Sequence, residues 1–479
     1  MTRTLPGAAL AVALAMAAPL SSLAQVPRKT MPADDVLEAN AFAVGLQGYV
    51  WGAAPVAMQA MLYDHQSGWG AAGARPTPLN ALSGAHLATA EQRGAAFPNP
   101  SIFQGSAWLD LSEEPVAVVL PEMPEAIYWS ASFVDAYASG FFVASTKGFG
   151  PGGARLLVQG PGHPGPAPTG FAPVASPTPF ALVLVRIAPR TTDPADVEAA
   201  ARYQAQVRVI PRSQLDNPRF DPLAANRRVK LADPHPSEPD PLRFLAILTE
   251  WITLNPPGPE AKGLLGFWSR LGVGPGAQFR PAALTRAERS GLERGLEAGA
   301  NLVALNLGPK ATAVNGWNLG PRDPGGAGDD PVRRTAWSLQ NLGSLPPSEA
   351  AYAMAYADAA GDPLDGRKDY VLHLGKEEVP KVRAFWSLAV YELPSGQLHP
   401  NPLGRYQLGT QAPGMRAGAD GSLDVLLSGR EPPADRRGNW IPTPGGEFAV
   451  SLRMYLPDPE MDGLWTGGRA LPGIQRRAR

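Results

Sequence analysis

The pattern of apolar and polar positions changes three times along the chain, and each change predicts a different kind of element. From residue 33 to residue 65, apolar side chains recur at steps of three and four, and neighbouring positions are apolar too. This pattern predicts a largely buried helix, with Pro55 kinking it or dividing it in two. Short apolar runs separated by glycine and proline then predict strands at 115–120, 126–134, 155–159 and 180–187.

The middle of the chain has a helical pattern. Asp193 before Pro194 is typical of a helix start, with aspartate as the cap and proline at the first helical position. Between residues 240 and 305, leucine and isoleucine recur at helical spacing, and Thr285 with Glu288 forms a capping box. We expect a separate helical unit or a helical bridge here.

Strand patterns return in the last third, at 382–392, 422–428 and 447–456. In 447–456, apolar residues alternate with a set that includes Arg453 and Tyr455. This alternation predicts a half-buried antiparallel strand with Arg453 and Tyr455 on the face opposite the core. The three segments should form one C-terminal β-domain, with the helical unit lying between it and an N-terminal β-domain.

The first residues have the features of a secretion signal. Arg3 precedes an apolar run from residue 5 to residue 20, and Ser22-Leu23-Ala24 supplies the small residues that a signal peptidase reads. The run is shorter than the ~20 residues that a membrane span needs. We therefore expect cleavage between Ala24 and Gln25, and a soluble mature protein without a membrane span, in the periplasm or outside the cell.

Composition narrows the class of protein. Glycine (52) and proline (53) together make up about a fifth of the 479 residues, against roughly 12% in average proteins. Such turn-rich chains with short apolar runs are typical of sandwiches and jelly rolls. A formal net charge of −1 favours neither nucleic acid nor an anionic membrane as a partner. The sequence does not indicate an oligomeric state.

Cysteine and histidine usage argues against a metal or a tightly bound cofactor. The chain has no cysteine, which excludes a zinc–thiolate site, a thiol nucleophile and a lipid-anchored lipoprotein. The six histidines, at positions 65, 86, 163, 235, 373 and 399, include no pair at i,i+2 or i,i+4. We predict no metal site and no cofactor.

Five ordered motifs in the last third carry a resemblance to a known family. They are Ala384-Phe385-Trp386-Ser387-Leu388, Asn401-Pro402 with Arg405-Tyr406, Asp420-Gly421-Ser422, Asn439-Trp440-Ile441-Pro442 and Leu452-Arg453-Met454-Tyr455. This part resembles the bacterial family built from paired domains of unknown function, numbered twelve-fifty-four (N-terminal) and twelve-fourteen (C-terminal). The resemblance implies an N-terminal β-sandwich, a helical middle and a C-terminal jelly roll, without an established activity.

The front half resembles the N-terminal domain of that family, with departures. The matching motifs are Pro98-Asn99, Ser106-Ala107-Trp108-Leu109-Asp110-Leu111, Glu114-Pro115, Gly160-Pro161-Gly162, Ser176-Pro177-Thr178-Pro179 and Arg186. The family usually continues its Pro-Asn with a variable residue, then Asp-Thr and, two places on, an aromatic residue. This chain has Ser101, Ile102 and Gln104 there. If that set serves a ligand or a reaction, this member has altered it.

Two groups of side chains are candidates for chemistry. Asp110, Glu113 and Asp135 lie around predicted strand ends, and paired carboxylates run acid–base or glycosidase chemistry when held about 5–9 Å apart; the alternative is that they cap turns. Planar donors and aromatic faces in the C-terminal domain suit an apolar or sugar-like ligand. These candidate ligand-binding residues are Arg405, Tyr406, Asn439, Trp440, Arg453 and Tyr455. The alternative for them is structural, with Trp440 in the core and Arg453 paired to a carboxylate.

Together these observations predict a mainly β fold with a helical middle. The predicted parts are a signal peptide (1–24), an N-terminal helix with a β-sandwich (25–210), a helical middle (211–345) and a C-terminal jelly-roll-like sandwich (346–479). Three functions remain open: an exported protein that binds a small apolar or sugar-like ligand, a cofactor-independent hydrolase or isomerase that uses carboxylates, and a structural envelope protein. We favour the first.

Overall fold

The computed structural model describes residues 31–69, 75–84, 86–91, 96–307, 313–320 and 330–477. The predicted signal peptide lies outside these described residues. The helices are α1 (Ala33–Ser67), α2 (Thr146–Phe149), α3 (Pro194–Ala205), α4 (Pro222–Ala225), α5 (Arg243–Leu254), α6 (Lys262–Trp268), α7 (Arg286–Ala304), α8 (Pro331–Asn341) and α9 (Gly463–Thr466).

The strands of the N-terminal half are β1 (Phe103–Asp110), β2 (Val116–Leu120), β3 (Trp129–Asp135), β4 (Gly140–Ser145), β5 (Ala154–Gln159), β6 (Ala172–Ala175), β7 (Phe180–Ile187) and β8 (Arg208–Pro211). Those of the C-terminal half are β9 (Trp317–Leu319), β10 (Ala350–Ala355), β11 (Tyr370–Leu374), β12 (Trp386–Glu392), β13 (Gln397–Leu398), β14 (Gln407–Gly409), β15 (Leu423–Ser428), β16 (Trp440–Pro442), β17 (Phe448–Tyr455) and β18 (Gln475–Arg476). The mainly β fold with a helical middle is confirmed.

The N-terminal β-domain is a sandwich of two sheets. One sheet has the strand order β1-β7-β3-β4 and the other has the order β6-β5-β2-β8. Alternate residues point to the inner face, where Leu109 and Val183 of the first sheet share a core with Val118 and Leu156 of the second. All eight residues of β7 are buried, so the opposite face of the first sheet is covered as well.

The C-terminal β-domain repeats this plan. Its larger sheet has the order β13-β12-β17-β10-β9, with β14 also paired to β12, and the facing sheet has the order β16-β15-β11-β18. Val450 and Leu452 of β17 meet Leu372 and Val425 of the second sheet. Strand β9, which lies in the stretch predicted to be helical, pairs with β10 of this domain.

The helical unit combines α1 with the helices of the middle of the chain. Helix α1 packs against α5, α7 and α8, and it continues through Pro55 without dividing. Its contact with α7 is close because glycines face each other there: a Cβ on Gly295 would lie only 2.2 Å from the Phe42 carbonyl oxygen. Helix α1 is long and apolar enough to cross a membrane, but more than half of its most apolar stretch is buried inside the protein.

The predicted helix starts are present, and their capping differs in detail. Thr285 and Glu288 form the expected capping box of α7. Helix α3 begins at Pro194 as predicted, but the Asp193 side chain accepts no capping hydrogen bond. In the first turn of α3, the Asp196 carboxylate is the group that accepts side-chain hydrogen bonds, from Thr191 and Arg190.

Strand β17 departs from its prediction. All eight of its residues are buried, including Arg453 and Tyr455. The face expected to be solvent-exposed packs instead against the N-terminal β-domain, where Tyr128 and Ile102 contact the same apolar cluster as Tyr455. The two β-domains therefore touch directly, and the helical unit does not separate them.

Candidate functional site

The outer faces of the two sandwiches meet, and each carries a row of polar residues. In the N-terminal sheet, Gln104, Arg186, Ser130 and Ser145 are paired side by side across β1, β7, β3 and β4. In the C-terminal sheet, the corresponding row consists of Tyr352, Arg453 and Ser387 across β10, β17 and β12. We call the charged and phenolic residues at this contact the interface cluster: Arg186, Arg453, Tyr128, Tyr352, Tyr391 and Tyr455.

Arg453 is the charged residue of the C-terminal row, and its side chain is only 7% exposed. Its guanidinium donates to the Tyr391 hydroxyl at 2.7 Å and to the Phe97 carbonyl oxygen at 2.9 Å. The guanidinium carbon also lies 5.7 Å from the centre of the Tyr391 ring. Arg453 therefore joins the C-terminal sheet to the segment that leads into β1.

Arg186 is the charged residue of the N-terminal row and is 6% exposed. It donates to the Gln104 side-chain oxygen at 3.1 Å, to the Ser132 hydroxyl at 2.7 Å and to the Gly343 carbonyl oxygen at 2.5 Å. Gly343 follows α8, so this arginine ties the N-terminal sheet to the segment that leads into β10.

Four phenols belong to the same contact; those of Tyr128, Tyr391 and Tyr455 are buried, and that of Tyr352 is half-buried. Tyr455 stacks on Phe385 with ring centres 4.3 Å apart, and it lies 5.2 Å from the ring of Tyr128. Burial raises the pKa of all four phenols, so they are neutral at ordinary pH. The positive charges of Arg186 and Arg453 both oppose this rise in the pKa of Tyr352 and of Tyr455, which places both guanidinium groups within electrostatic reach of the same two hydroxyls.

The segment 97–102 completes the cluster with further hydrogen bonds. The Asn99 side-chain amide donates to the Tyr455 hydroxyl at 2.6 Å. The Ser101 hydroxyl is fully buried and contacts the Ser387 hydroxyl at 2.9 Å and the Gln407 side-chain oxygen. Ser101 and Ile102, two of the three positions where this chain departs from its family, are buried at this contact between the β-domains, whereas Gln104 is exposed on the edge strand β1.

Acidic residues do not neutralise the two arginines. All the hydrogen-bond acceptors of Arg186 and Arg453 among the described residues are uncharged. Glu349 lies at the edge of the cluster near Tyr128, where burial raises the pKa of the Glu349 carboxyl and the charges of Lys147 and Arg383 oppose the rise. The nearest cation to Glu349 is Lys147, at 3.9 Å.

The predicted ligand-binding residues fall into two places. Arg453 and Tyr455 belong to the interface cluster, and Tyr406 packs near Tyr391 and Phe97. Arg405, Asn439 and Trp440 lie together elsewhere, because Arg405 donates to the Trp440 and Arg437 carbonyl oxygens.

In that second place the polar groups are used within the protein. Trp440 donates its indole N–H to the Ser428 carbonyl oxygen at 2.9 Å. The Asn439 amide donates to the carbonyl oxygens of Arg416 and Asp424, and its side-chain oxygen accepts from the Arg416 N–H. These bonds hold the 405–416 and 434–442 segments against β15. The alternative that Arg453 pairs with a carboxylate is not what the structure has, since its acceptors are a phenol and a carbonyl.

The three carboxylate candidates also divide. Asp110 and Glu113 both bind Arg227, at 2.7 Å and 3.0 Å. The same Arg227 lines an open cleft of about 240 Å³ together with Asn80, Glu114 and Phe220. Asp135 lies on the opposite face of the sheet, since it is two residues from inner-face Phe133, whereas Asp110 is two residues from outer-face Trp108.

Asp135 is buried at the end of β3. Its carboxylate accepts hydrogen bonds from the N–H groups of Tyr137 and Ser139, at 2.8 Å and 2.9 Å. Burial nevertheless raises the pKa of Asp135 to about 6. Asp110 and Asp135 do not face a common space, so they do not form a glycosidase-type pair.

Sequence reasoning missed four members of the cluster as site residues: Arg186, Tyr128, Tyr352 and Tyr391. A signal for Arg186 was present, because a single arginine interrupts an otherwise apolar strand pattern at 180–187. Within the described ranges, no group of three or more histidine and acidic side chains is arranged to hold a metal ion.

Comparisons with known proteins bear on the family and the fold. Residues 79–211 match the family described as "Protein of unknown function (DUF1254)", and residues 349–459 match "Protein of unknown function (DUF1214)". This is the N-terminal and C-terminal pairing that the sequence motifs predicted. Arg186 lies in the first match and Arg453 in the second, so the cluster forms where the two domains meet. A search of curated proteins finds no match.

Two solved structures match over 93% of this chain. The VPA0106 protein from Vibrio parahaemolyticus is 22% identical, with 93% of this chain and 100% of that chain covered and a TM-score of 0.68. The likeness to the Vibrio protein supports the fold of this chain described above. An uncharacterized protein from Burkholderia cenocepacia is 12% identical over 93% of this chain and 94% of its own, with a TM-score of 0.42.

Proposed function

We propose that this chain, which belongs to the family that pairs a DUF1254 domain with a DUF1214 domain, binds a small organic ligand between its two β-domains. The observation that carries the proposal is the interface cluster, in which two buried guanidinium groups, three buried phenols and the half-buried phenol of Tyr352 converge from both domains. A contact that served only to hold two domains together would be more stable with apolar side chains, because buried charges are costly to desolvate.

The chemistry of the cluster supports an organic ligand with a ring. Phenols combine a flat apolar surface with a hydroxyl that donates or accepts, and guanidinium groups offer planar forks of N–H donors. A sugar-like or aromatic molecule can use both kinds of group at once. Because residues of both domains contribute, a ligand bound here would be enclosed by the protein and would stabilise the contact between the domains.

A thermal-shift experiment tests the proposal. Four probes are used on the purified mature protein: glucose, glucuronate, benzyl alcohol and benzoate. A probe that binds only the folded protein should raise Tm by about 3 °C if the whole chain unfolds as one unit, and by about 5–10 °C if one β-domain unfolds by itself, when the probe is present at about a hundred times its Kd. Acid denaturation of the same preparation, followed by mass spectrometry, checks for a small molecule carried through purification.

The matched variants are Arg453→Met in the cluster and Arg367→Met on the surface, where the side chain of Arg367 is 77% exposed. The shift should disappear in the first and persist in the second. If no probe raises Tm and denaturation releases no small molecule, the proposal of a binding function is wrong.

We also propose that the protein is exported. The support is the charged start, the apolar run and the Ser22-Leu23-Ala24 motif of its first residues. Mass spectrometry of protein recovered from the periplasm or the medium should find an N-terminus at or near Gln25. A full-length chain that begins at Met1 and remains in the cytoplasm would contradict export.

A further inference from the structure

Two positive charges are buried in the interface cluster without an acidic partner among the described residues. Arginine does not lose its proton in proteins, so both groups remain charged. An isolated buried charge is strongly unfavourable, and two charges of the same sign also repel each other. Arg186 and Arg453 belong to one contact: Tyr455, on the same face of β17 as Arg453, lies 5.2 Å from Tyr128, ring centre to ring centre, and Tyr128 immediately precedes β3, whose Ser130 is the strand partner of Arg186.

Both guanidinium groups have donors to spare. Each group carries five N–H bonds. Arg186 uses three of them and Arg453 uses two in hydrogen bonds to described residues. The remaining N–H groups are available to a ligand that accepts hydrogen bonds.

Two buried hydroxyl groups at the same contact also indicate that a hydrogen-bond acceptor is missing there. The Tyr128 and Ser130 hydroxyl oxygens are buried and approach each other, but neither has a hydrogen bond of normal geometry within the described part of the chain. Ser130 is paired directly with Arg186 across β3 and β7. Buried hydroxyls are nearly always hydrogen-bonded in folded proteins, and if one of these two donates to the other, the proton left over is a further donor for an acceptor that enters the cluster.

We infer that the ligand of this site is an organic acid whose carboxylate is held between Arg186 of the N-terminal domain and Arg453 of the C-terminal domain. This inference rests on the proposed binding function and specifies its ligand class. A carboxylate neutralises one positive charge and accepts two or more hydrogen bonds from planar guanidinium forks. The surrounding phenols, with Phe385 behind Tyr455, then contact the ring or sugar body that carries the carboxylate.

A substitution at Ser101 tests directly whether the two arginines bind a negatively charged group. Its hydroxyl contacts Ser387, which is the strand neighbour of Arg453, and the residue is fully buried. Ser101→Asp would bring a carboxylate of the protein itself next to the Arg453 row. Ser101→Asn adds nearly the same volume without a charge, so it is the matched control.

The experiment uses two probe pairs that differ only in the acidic group, glucuronate against glucose and benzoate against benzyl alcohol, with inorganic phosphate as a fifth probe. We expect one acid of the pairs to raise Tm of the wild-type protein, and its neutral partner to bind at least about tenfold more weakly, since a charge-assisted bond is replaced by a neutral one. Arg186→Met should weaken binding of that acid at least as much. Ser101→Asp should abolish the shift, and Ser101→Asn should retain most of it.

The outcomes separate this inference from the proposed function. If a neutral probe raises Tm as much as its acid, the chain binds ligands here but the inference of an organic acid is wrong. If phosphate alone binds, the site takes an inorganic anion and the inference is equally wrong. If Ser101→Asp fails to fold, the probe pairs on wild-type protein and Arg186→Met still decide it.

Discussion

The inner and outer faces of the two β-sandwiches are both buried, yet they are built from different residues. On the inner face of β17, Val450 and Leu452 pack into an apolar core with residues of the opposite sheet. On the outer face of the same strand, Arg453 and Tyr455 meet the other domain through hydrogen bonds and aromatic contacts. Neighbouring residues of one strand thus lie in equally dry but chemically opposite surroundings.

The difference distinguishes burial that stabilises from burial that serves another purpose. Apolar side chains gain about 25 cal/mol per Å² removed from water, so the inner faces account for stability. Buried guanidinium groups without acidic partners lose hydration that neutral acceptors replace only in part. A polar contact of this kind is expected where a site is formed, because functional sites are where proteins depart from the most stable choice.

The largest loss of stability should come from a substitution on the inner face of β17. Leu452→Ala removes a side chain that is 2% exposed in the C-terminal core and should lower the free energy of unfolding by about 2–5 kcal/mol. Urea denaturation measures this loss. Leu403→Ala, at a leucine that is 49% exposed, should change it by no more than about 0.5 kcal/mol.

Arg453, which follows Leu452 and lies on the outer face, should lose different amounts of stability on substitution by alanine and by methionine. Arg453→Ala loses both hydrogen bonds and leaves space, so we expect a loss of about 2–4 kcal/mol. Arg453→Met fills that space and removes the buried charge, so it should be within about 1 kcal/mol of the wild type or more stable. The measurement is urea denaturation of dialysed protein. If Arg453→Met is as unstable as Arg453→Ala, the guanidinium holds the domains together and the contrast between the two faces fails.

A charge on the inner-face side offers a pH test. Because burial raises the pKa of Asp135 from 3.8 to about 6, the folded protein binds this proton more tightly than the unfolded chain does. The contribution of the protonated Asp135 carboxyl to the free energy of unfolding is therefore complete below about pH 4. It is lost as the pH rises through about 6. Asp135→Asn should raise the free energy of unfolding at pH 8 by on the order of 1–3 kcal/mol, with little effect at pH 4. Superimposable profiles of stability against pH for the two proteins would contradict this.

The smallest effect concerns a single hydrogen bond of the interface cluster. Tyr455→Phe keeps the stacking on Phe385 and removes the acceptor of the Asn99 amide. We expect a loss of about 0.5–1.5 kcal/mol by thermal or urea denaturation. A loss above about 3 kcal/mol would mean that the hydroxyl is essential to the contact between the domains, which would weaken the case for a site.

Much of the local structure could be predicted because it depends on neighbouring residues. The strand at 180–187, the start of α3 at Pro194 and the capping box at Thr285 follow from spacing and from side-chain chemistry within a few positions. The alternation in 447–456 also correctly separated Arg453 and Tyr455 from the core residues of β17. The expected break at Pro55 was wrong, since α1 is held on several sides by α5, α7 and α8 and remains one helix.

The candidate site could be predicted only in part. Arg453 and Tyr455 were recognised as a pair of unusual residues on one face. Their partners were not, because Phe97 lies 356 positions from Arg453 along the chain and Arg186 belongs to the other domain. No pattern within a strand reports a contact over that distance.

The sequence by itself determined the family, through its ordered motifs, and also the position of several strands and helix starts and which side chains share a face, since these follow from periods of two and 3.6 residues and from local capping. Only the tertiary structure decided what covers each face. The period of two predicts that Arg453 points away from the core of its own sandwich, and the simplest expectation is then that its side chain is exposed to solvent. The packing of one sandwich on the other replaces that solvent with Phe97 beside Arg453 and with Tyr128 and Ile102 beside Tyr455, and so turns an apparently exposed charge into a buried one.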